Sequence, residues 1–190
     1  SVEQILHTTA AAKLLDALED NLLLAPIQSS VVPLPHQLYA LNRAISRDRI
    51  RYLLADEVGL GKTIEAGLVL RELKLRGRVK RILVVAPKGL VRQWQAEMRL
   101  HFGEKFQFIE PSELAAFRQW RSGGAGEEEN LWRMHDQVIC SLDSVKPLEG
   151  RRGWSLEQLN TYNRERFEDL ISASWDLVII DEAHRMGGRT

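Results

Sequence analysis

The chain has 190 residues, enough for about one domain with a single buried core. Its 26 basic residues are balanced by 26 acidic ones, so no global charge marks it as a nucleic-acid binder, and the single cysteine, Cys140, excludes an internal disulfide framework and fits a reducing cytoplasm. No apolar run approaches the roughly 20 residues needed to span a bilayer, SVEQILHTT is not a secretory signal, and His7, His36, His101, His135 and His184 show no metal-ligand spacing.

Val2 to Leu24 carries apolar residues at helical intervals and predicts a packing helix that Pro26 ends. Ser29 to Pro35 is extended, so residues 1–33 form a lead-in to a lobe covering 34–190. Leu34-Pro35-His36-Gln37-Leu38 opens a helix that runs to about Ser46. Tyr52, Leu53, Leu54 and Ala55 are a short apolar run of the kind buried in a parallel sheet. The loop that follows, Asp56 to Thr63, reads DEVGLGKT, and an apolar helix pattern begins at Ile64. Gly59 and Gly61 let the backbone approach phosphate oxygens, and the next helix points its positive end at them. Lys62 would reach the β- and γ-phosphates and the Thr63 hydroxyl would ligate Mg²⁺. Asp56 stands where the strict G-x-x-x-x-G-K-[ST] pattern has its first glycine. Taken alone, the stretch also fits a glycine-rich turn with a chance Gly-Lys-Thr. The basic run from Arg71 to Arg99 reads mostly as solvated helix ends, where cations suit the dipole.

Arg81 to Ala86 is a further buried strand. It runs into Pro87-Lys88-Gly89-Leu90-Val91-Arg92-Gln93-Trp94, which opens a helix. Its N–H groups with Lys88 and Arg92 make a phosphate clamp that carries no sequence information. Trp94 falls with Val91 and Met98 and is read as packing. Phe106 to Ile109 is a short strand, Pro111 to Trp120 a helix, and Ser122 to Asn130 a flexible acidic surface loop. Gln137 to Ser141 is the next strand, with Cys140 a buried thiol, and after it Ser141 and Ser144 either donate to phosphates or cap a helix. Ser155 to Ser172 is helical, with Leu156, Leu159, Phe167, Leu170 and Ile171 as its buried stripe. Trp175 to His184, WDLVIIDEAH, is a strand (Leu177 to Ile180) ending in Asp181 and Glu182. An acidic pair at that point is where α/β folds hold Mg²⁺ and an attacking water; taken alone, it also fits a helix N-terminus, which favours acidic residues. Paired with Gly61-Lys62-Thr63 upstream, it points to ATP. The alternation of strands and helices indicates a three-layer α/β lobe with a mainly parallel sheet.

DEVGLGKT followed by DEAH (Asp181 to His184) resembles the first motor lobe of superfamily 2 helicase-like ATPases. More narrowly it resembles the switch/sucrose-nonfermenting chromatin-remodelling family, and within it the bacterial RapA-like branch. The resemblance covers about Leu34 to Thr190, and an acidic residue at the place of Asp56 is usual in that family. It implies a RecA-like lobe of a double-stranded-DNA translocase that binds ATP on Asp56, Glu57, Val58, Gly59, Leu60, Gly61, Lys62 and Thr63. Gln37, which taken alone is only a capping residue near a helix start, would read adenine. Mg²⁺ would be held by Thr63 and, through water, Asp181, while Glu182 would activate the attacking water. Lys88, Arg92 and Ser141 would touch nucleic acid, and His184 would relay nucleotide state. The implied partners are double-stranded DNA, a second RecA-like lobe carrying an arginine, and RNA polymerase or defence-system proteins. The rival readings are a DEAH-type RNA helicase and a non-hydrolysing nucleotide-binding scaffold. The resemblance also implies one more strand between the phosphate-loop and DEAH strands, which this sequence lacks. The expectation is a fragment, inactive by itself, with an empty lane of about 10 Å between Leu53-Leu54 and Val178-Ile180.

Overall fold

A computed structural model describes residues 22–46, 51–54, 61–122 and 129–186. The expected N-terminal helix up to residue 21 and the loop residues Asp56 to Leu60 lie outside them. The chain divides into two compact units, Ser1–Arg76 and Gly77–Thr190.

In the first unit, the helix Lys62–Leu75 is the central element, and the helices Leu24–Gln28 and Pro35–Ile45 both pack on it. It buries Ala66, Leu68, Val69, Leu70 and Leu73, and with them the carboxylates of Glu65 and Glu72. Glu72 is fully buried, and both its oxygens are used. Oε1 accepts from Arg76 Nε at 2.7 Å, and Oε2 accepts from the backbone N–H of Ala25 at 2.7 Å. Arg76 also donates to Leu22 O at 3.0 Å. This ion pair therefore fastens the lead-in to the helix, and removing one partner of such a buried pair costs about 3–5 kcal/mol. Pro26 does not end a helix here. It sits in the first turn of Leu24–Gln28, where a missing N–H costs nothing. Pro35 does the same as the first residue of the next helix.

The apolar run before the glycine loop departs from expectation. Arg51 to Leu54 form no strand, and Leu53 is 75% exposed. A strand exists only where its backbone groups find a neighbouring ladder. Among the described residues, no strand pairs with this run.

The second unit is built on four parallel strands, β1 (Ile82–Ala86), β2 (Gln107–Ile109), β3 (Gln137–Ser141) and β4 (Leu177–Ile180), in the order β2-β3-β1-β4. Every residue of β1 is buried, as a central parallel strand requires. Leu83, Val85, Val138 and Cys140 join Ile109, Trp132, Leu142 and Ala173 in one core cluster, with Leu114 and Leu170 of the flanking helices against it. Ile82, Val84, Ala86 and Ile139 alternate to the other face and are buried too. The sheet is thus covered on both sides, which gives the three layers expected. Burial pushes the Cys140 thiol up to about 12, the behaviour of an inert core thiol.

β4 lies at the sheet edge, paired with β1 alone among the described strands, and Val178 and Ile180 remain exposed. The helix Leu156–Ser172 starts at a capping box, Ser155 Oγ accepting from Gln158 N–H at 3.2 Å and Gln158 Oε1 from Ser155 N–H at 2.9 Å. It buries Leu159 and packs Leu170 on the core, but Leu156, Phe167 and Ile171 are exposed. The buried stripe is narrower than the apolar pattern suggested, because those three residues lie to one side of the Leu159–Leu170 line.

The N-terminal ends of the strands are pinned by Arg81 and Asp176. Arg81 donates to Trp132 O at 2.8 Å and Ala173 O at 2.9 Å, and its guanidinium lies 5.1 Å from the centre of the Trp175 ring. Asp176 Oδ2 accepts from the backbone N–H groups of Arg81 at 2.7 Å and Lys80 at 2.8 Å. Those bonds, that to Arg81 first, hold the Asp176 carboxyl below its ordinary range. A lowered folded pKa gives stability that is present above the unfolded value of about 3.9 and is lost as pH falls through the folded value. Asp176→Asn should therefore lower the melting temperature at neutral pH, and the gap to wild type should close on acidification. Thermal unfolding followed from neutral pH into acid checks this.

Candidate functional site

In the first unit the described part of the expected phosphate loop is Gly61, Lys62 and Thr63. Gly61 is the N-cap of the helix Lys62–Leu75 with φ +81°, a left-handed backbone that favours glycine. A side chain there would also collide with a neighbour, since a Cβ would stand 2.7 Å from Gln37 Nε2. Gly61 offers no side chain to cap the helix. The N–H groups of Lys62, Thr63 and Ile64 lie ahead of the first intrahelical bond, from Glu65 N–H to Gly61 O at 3.0 Å. Donors at a helix start suit an anion. Lys62 and Thr63 are half-buried at the head of this helix.

Gln37, expected to read adenine, is 4% exposed and lies against Gly61. Its Oε1 accepts from Leu34 N–H at 2.9 Å, so it caps the helix Pro35–Ile45. His36 Nε2 lies 4.0 Å from the buried Glu65 carboxylate.

In the second unit the acidic pair follows β4 directly. Asp181 N–H donates to Val85 O at 2.8 Å, which carries the ladder one residue past the strand. Asp181 Oδ1 then accepts from Glu182 N–H at 2.8 Å. This bond turns the chain sharply and sets Glu182 at φ +52°, an uncommon conformation for glutamate that costs about 1–2 kcal/mol. Glu182 Oε2 lies 3.3 Å from His184 Nδ1, whose ring is exposed. Asp181 Oδ2 accepts from Trp94 Nε1 at 2.9 Å. That contact was not legible in the sequence: Trp94 is buried, as its helical spacing with Val91 and Met98 suggested, but spacing says nothing about where an indole N–H points. Two hydrogen-bonded oxygens still leave a carboxylate lone pairs for a metal or its waters.

The remaining expected contacts divide. The registers Ala86 with Ser141 and Val85 with Ile180 bring the C-terminal ends of β1, β3 and β4 to one edge of the sheet. Lys88 and Arg92 follow β1 there and are exposed. Arg92 is steadied by Gln95 Oε1 at 3.2 Å and by the Phe108 ring, 5.1 Å from its guanidinium. Ser141 is on the same edge but 1% exposed, and its Oγ lies 3.2 Å from that of Ser144, also buried. The hydroxyl faces the protein, so Ser141 serves the turn after β3 in this structure.

A family model for the SNF2-related domain matches residues 36–190, which includes every one of these residues. The chain belongs to the SNF2-related family. Within it, the chain is 36% identical over 160 residues to the RNA polymerase-associated protein RapA of Proteus mirabilis, and 38% identical over the same length to that of Yersinia pestis. Both matches cover 84% of the chain. RapA of Vibrio cholerae is 39% identical over 154 residues, 80% of the chain. The chain spans 14% of the length of these relatives. The α/β sheet and helices of the second unit agree with a RecA-like lobe of an SNF2 domain, a family of helicase-like ATPases. No described helix is long and apolar enough to cross a membrane.

The Gly61 geometry yields a direct test. Gly61→Ala in this SNF2 lobe should destabilise the fold by about 1–2 kcal/mol from the left-handed backbone alone, with a further loss from the contact with Gln37. Adding Gln37→Ala should relieve only the steric part. Denaturant unfolding of the single and double variants separates the two.

Proposed function

We propose that this chain is the first, ATP-binding lobe of an SNF2-type motor that translocates on double-stranded DNA. The observation that carries the reading is the left-handed Gly61 cap opening directly onto Lys62 and Thr63, in a chain whose DEAH segment leaves its strand with Asp181 already held. The residues fit the nucleotide and the metal. Lys62 grips the β- and γ-phosphates, the helix N–H groups receive phosphate oxygens, and Gln37 reads adenine. Thr63 in the first unit and Asp181 in the second each carry an oxygen donor of the kind Mg²⁺ takes, and the metal, when bound, would neutralise charge on the phosphates. Glu182 accepts the proton of the attacking water, and His184, beside it, senses the change. Asp56 to Leu60 complete the loop. An arginine from a second lobe would supply the remaining charge stabilisation, worth about 10³–10⁵ in rate in related enzymes.

Lys88 and Arg92, exposed at the sheet edge, are the proposed phosphate contacts to DNA. They grip the backbone and carry no sequence preference. The relatives are RNA polymerase-associated by name, so polymerase is the proposed partner of the whole protein, acting in the cytoplasm.

Two experiments test the assignment on the whole natural protein. Lys62→Ala should abolish ATP binding measured by calorimetry, whereas Glu182→Gln should keep binding and lose about 10²–10⁴ in hydrolysis rate. Equal ATP affinity for wild type and Lys62→Ala contradicts the phosphate grip. Lys88→Ala should weaken DNA binding equally across sequences and flatten the plot of log K against log salt by about 0.9, one phosphate's share. An unchanged slope leaves Lys88 a solvated helix-end cation.

A further inference from the structure

The Trp94–Asp181 contact joins a residue of the helix Val91–Phe102 to the residue that leaves β4, 87 positions apart in sequence. Trp94 belongs to the buried stripe Val91, Trp94, Met98, Phe102 and is 4% exposed. Packing alone does not require tryptophan there, since Phe102 serves the same stripe without a donor. A buried indole N–H needs a partner, and here the partner is a carboxylate at 2.9 Å, a charge-assisted bond. Asp181 Oδ1 is held on its other side by Glu182 N–H at 2.8 Å. Donors on both oxygens, one from the turn and one from a different helix, fix the plane of the carboxylate. Either donor alone would leave it free to rotate about its Cβ–Cγ bond.

We propose that Trp94 is a positioning residue that presets the Asp181 carboxylate for Mg²⁺ and its water shell. This rests on the nucleotide reading above and extends it to a residue that touches neither nucleotide nor metal. Donors of this kind behind a metal-binding carboxylate alter metal affinity by about 10–100-fold when removed.

The test uses the whole natural protein. Trp94→Phe keeps an aromatic ring and removes the donor. Replacing Trp94 with 3-benzothienylalanine keeps the bicyclic shape, puts sulfur in place of N–H, and guards against a packing defect. Both variants should need about tenfold more free Mg²⁺ for half-maximal ATPase activity. Their affinity for ATP in excess chelator should equal that of wild type. Without metal, unfolding of Trp94→Phe, Asp181→Asn and the double variant should be non-additive, since both substitutions act on one bond. Unchanged Mg²⁺ dependence of both variants, or additive unfolding, overturns the proposal while leaving the nucleotide reading intact. If wild type shows no Lys62-dependent hydrolysis, the nucleotide reading itself fails, and the metal role of Trp94 fails with it.

Discussion

β1 holds the second unit together because it alone among the described strands has a long parallel neighbour on each side, β3 and β4, and a covered face above and below. Its backbone groups are satisfied only if both neighbours stay in register, and this fixes where each strand stops. β1 ends at Ala86 beside Ser141, and Val85 pairs with Ile180. The residues that follow these ends are the ones with chemistry to offer: Lys88 and Arg92 after β1, Asp181 and Glu182 after β4. The bond from Asp181 N–H to Val85 O shows the dependence directly, since the acidic pair is seated on the central strand itself. A one-residue slip would carry Asp181 away from both Val85 and Trp94.

The first unit obeys a different constraint. Its helix Lys62–Leu75 must begin at a residue that can take a left-handed turn beneath the Gln37 amide, and only glycine fits. The same helix is anchored at its far end by the Glu72–Arg76 pair, which also grips Ala25 and Leu22. A rigid helix with an open, glycine-capped start suits anion binding better than one capped by its own side chain.

Much of this was legible in the sequence because local signals agreed with the fold. β3 and β4 coincide with the expected strands Gln137–Ser141 and Leu177–Ile180, whose apolar stretches, Val138 to Cys140 and Leu177 to Ile180, are each flanked by polar residues. Pro35 and Ser155 mark helix starts by rules that act within four residues. What escaped depends on distant partners. Tyr52 to Leu54 has the composition of a buried strand, but a strand is a property of a pair, and no partner lies beside it among the described residues. Glu72 drew no reading from the sequence, since its burial depends on Ala25, 47 positions away. The indole of Trp94 could be placed on a buried face but not aimed. Phe167 and Ile171 belong to an apolar pattern that the core covers only in part. For the site, residue types and order were readable, and so were local roles for Gln37 and Ser141 at helix starts, while the bonds that orient Asp181 were not.

That this lobe powers a nucleotide-driven motor on duplex DNA is the proposal on which the rest turns. It is tested most directly by the steady-state ATPase rate of the whole natural protein, measured alone, with duplex DNA and with RNA. The account predicts hydrolysis that duplex DNA stimulates and RNA does not replace. Stimulation by RNA alone would contradict the DNA assignment, and no hydrolysis under any of the three conditions would contradict the motor.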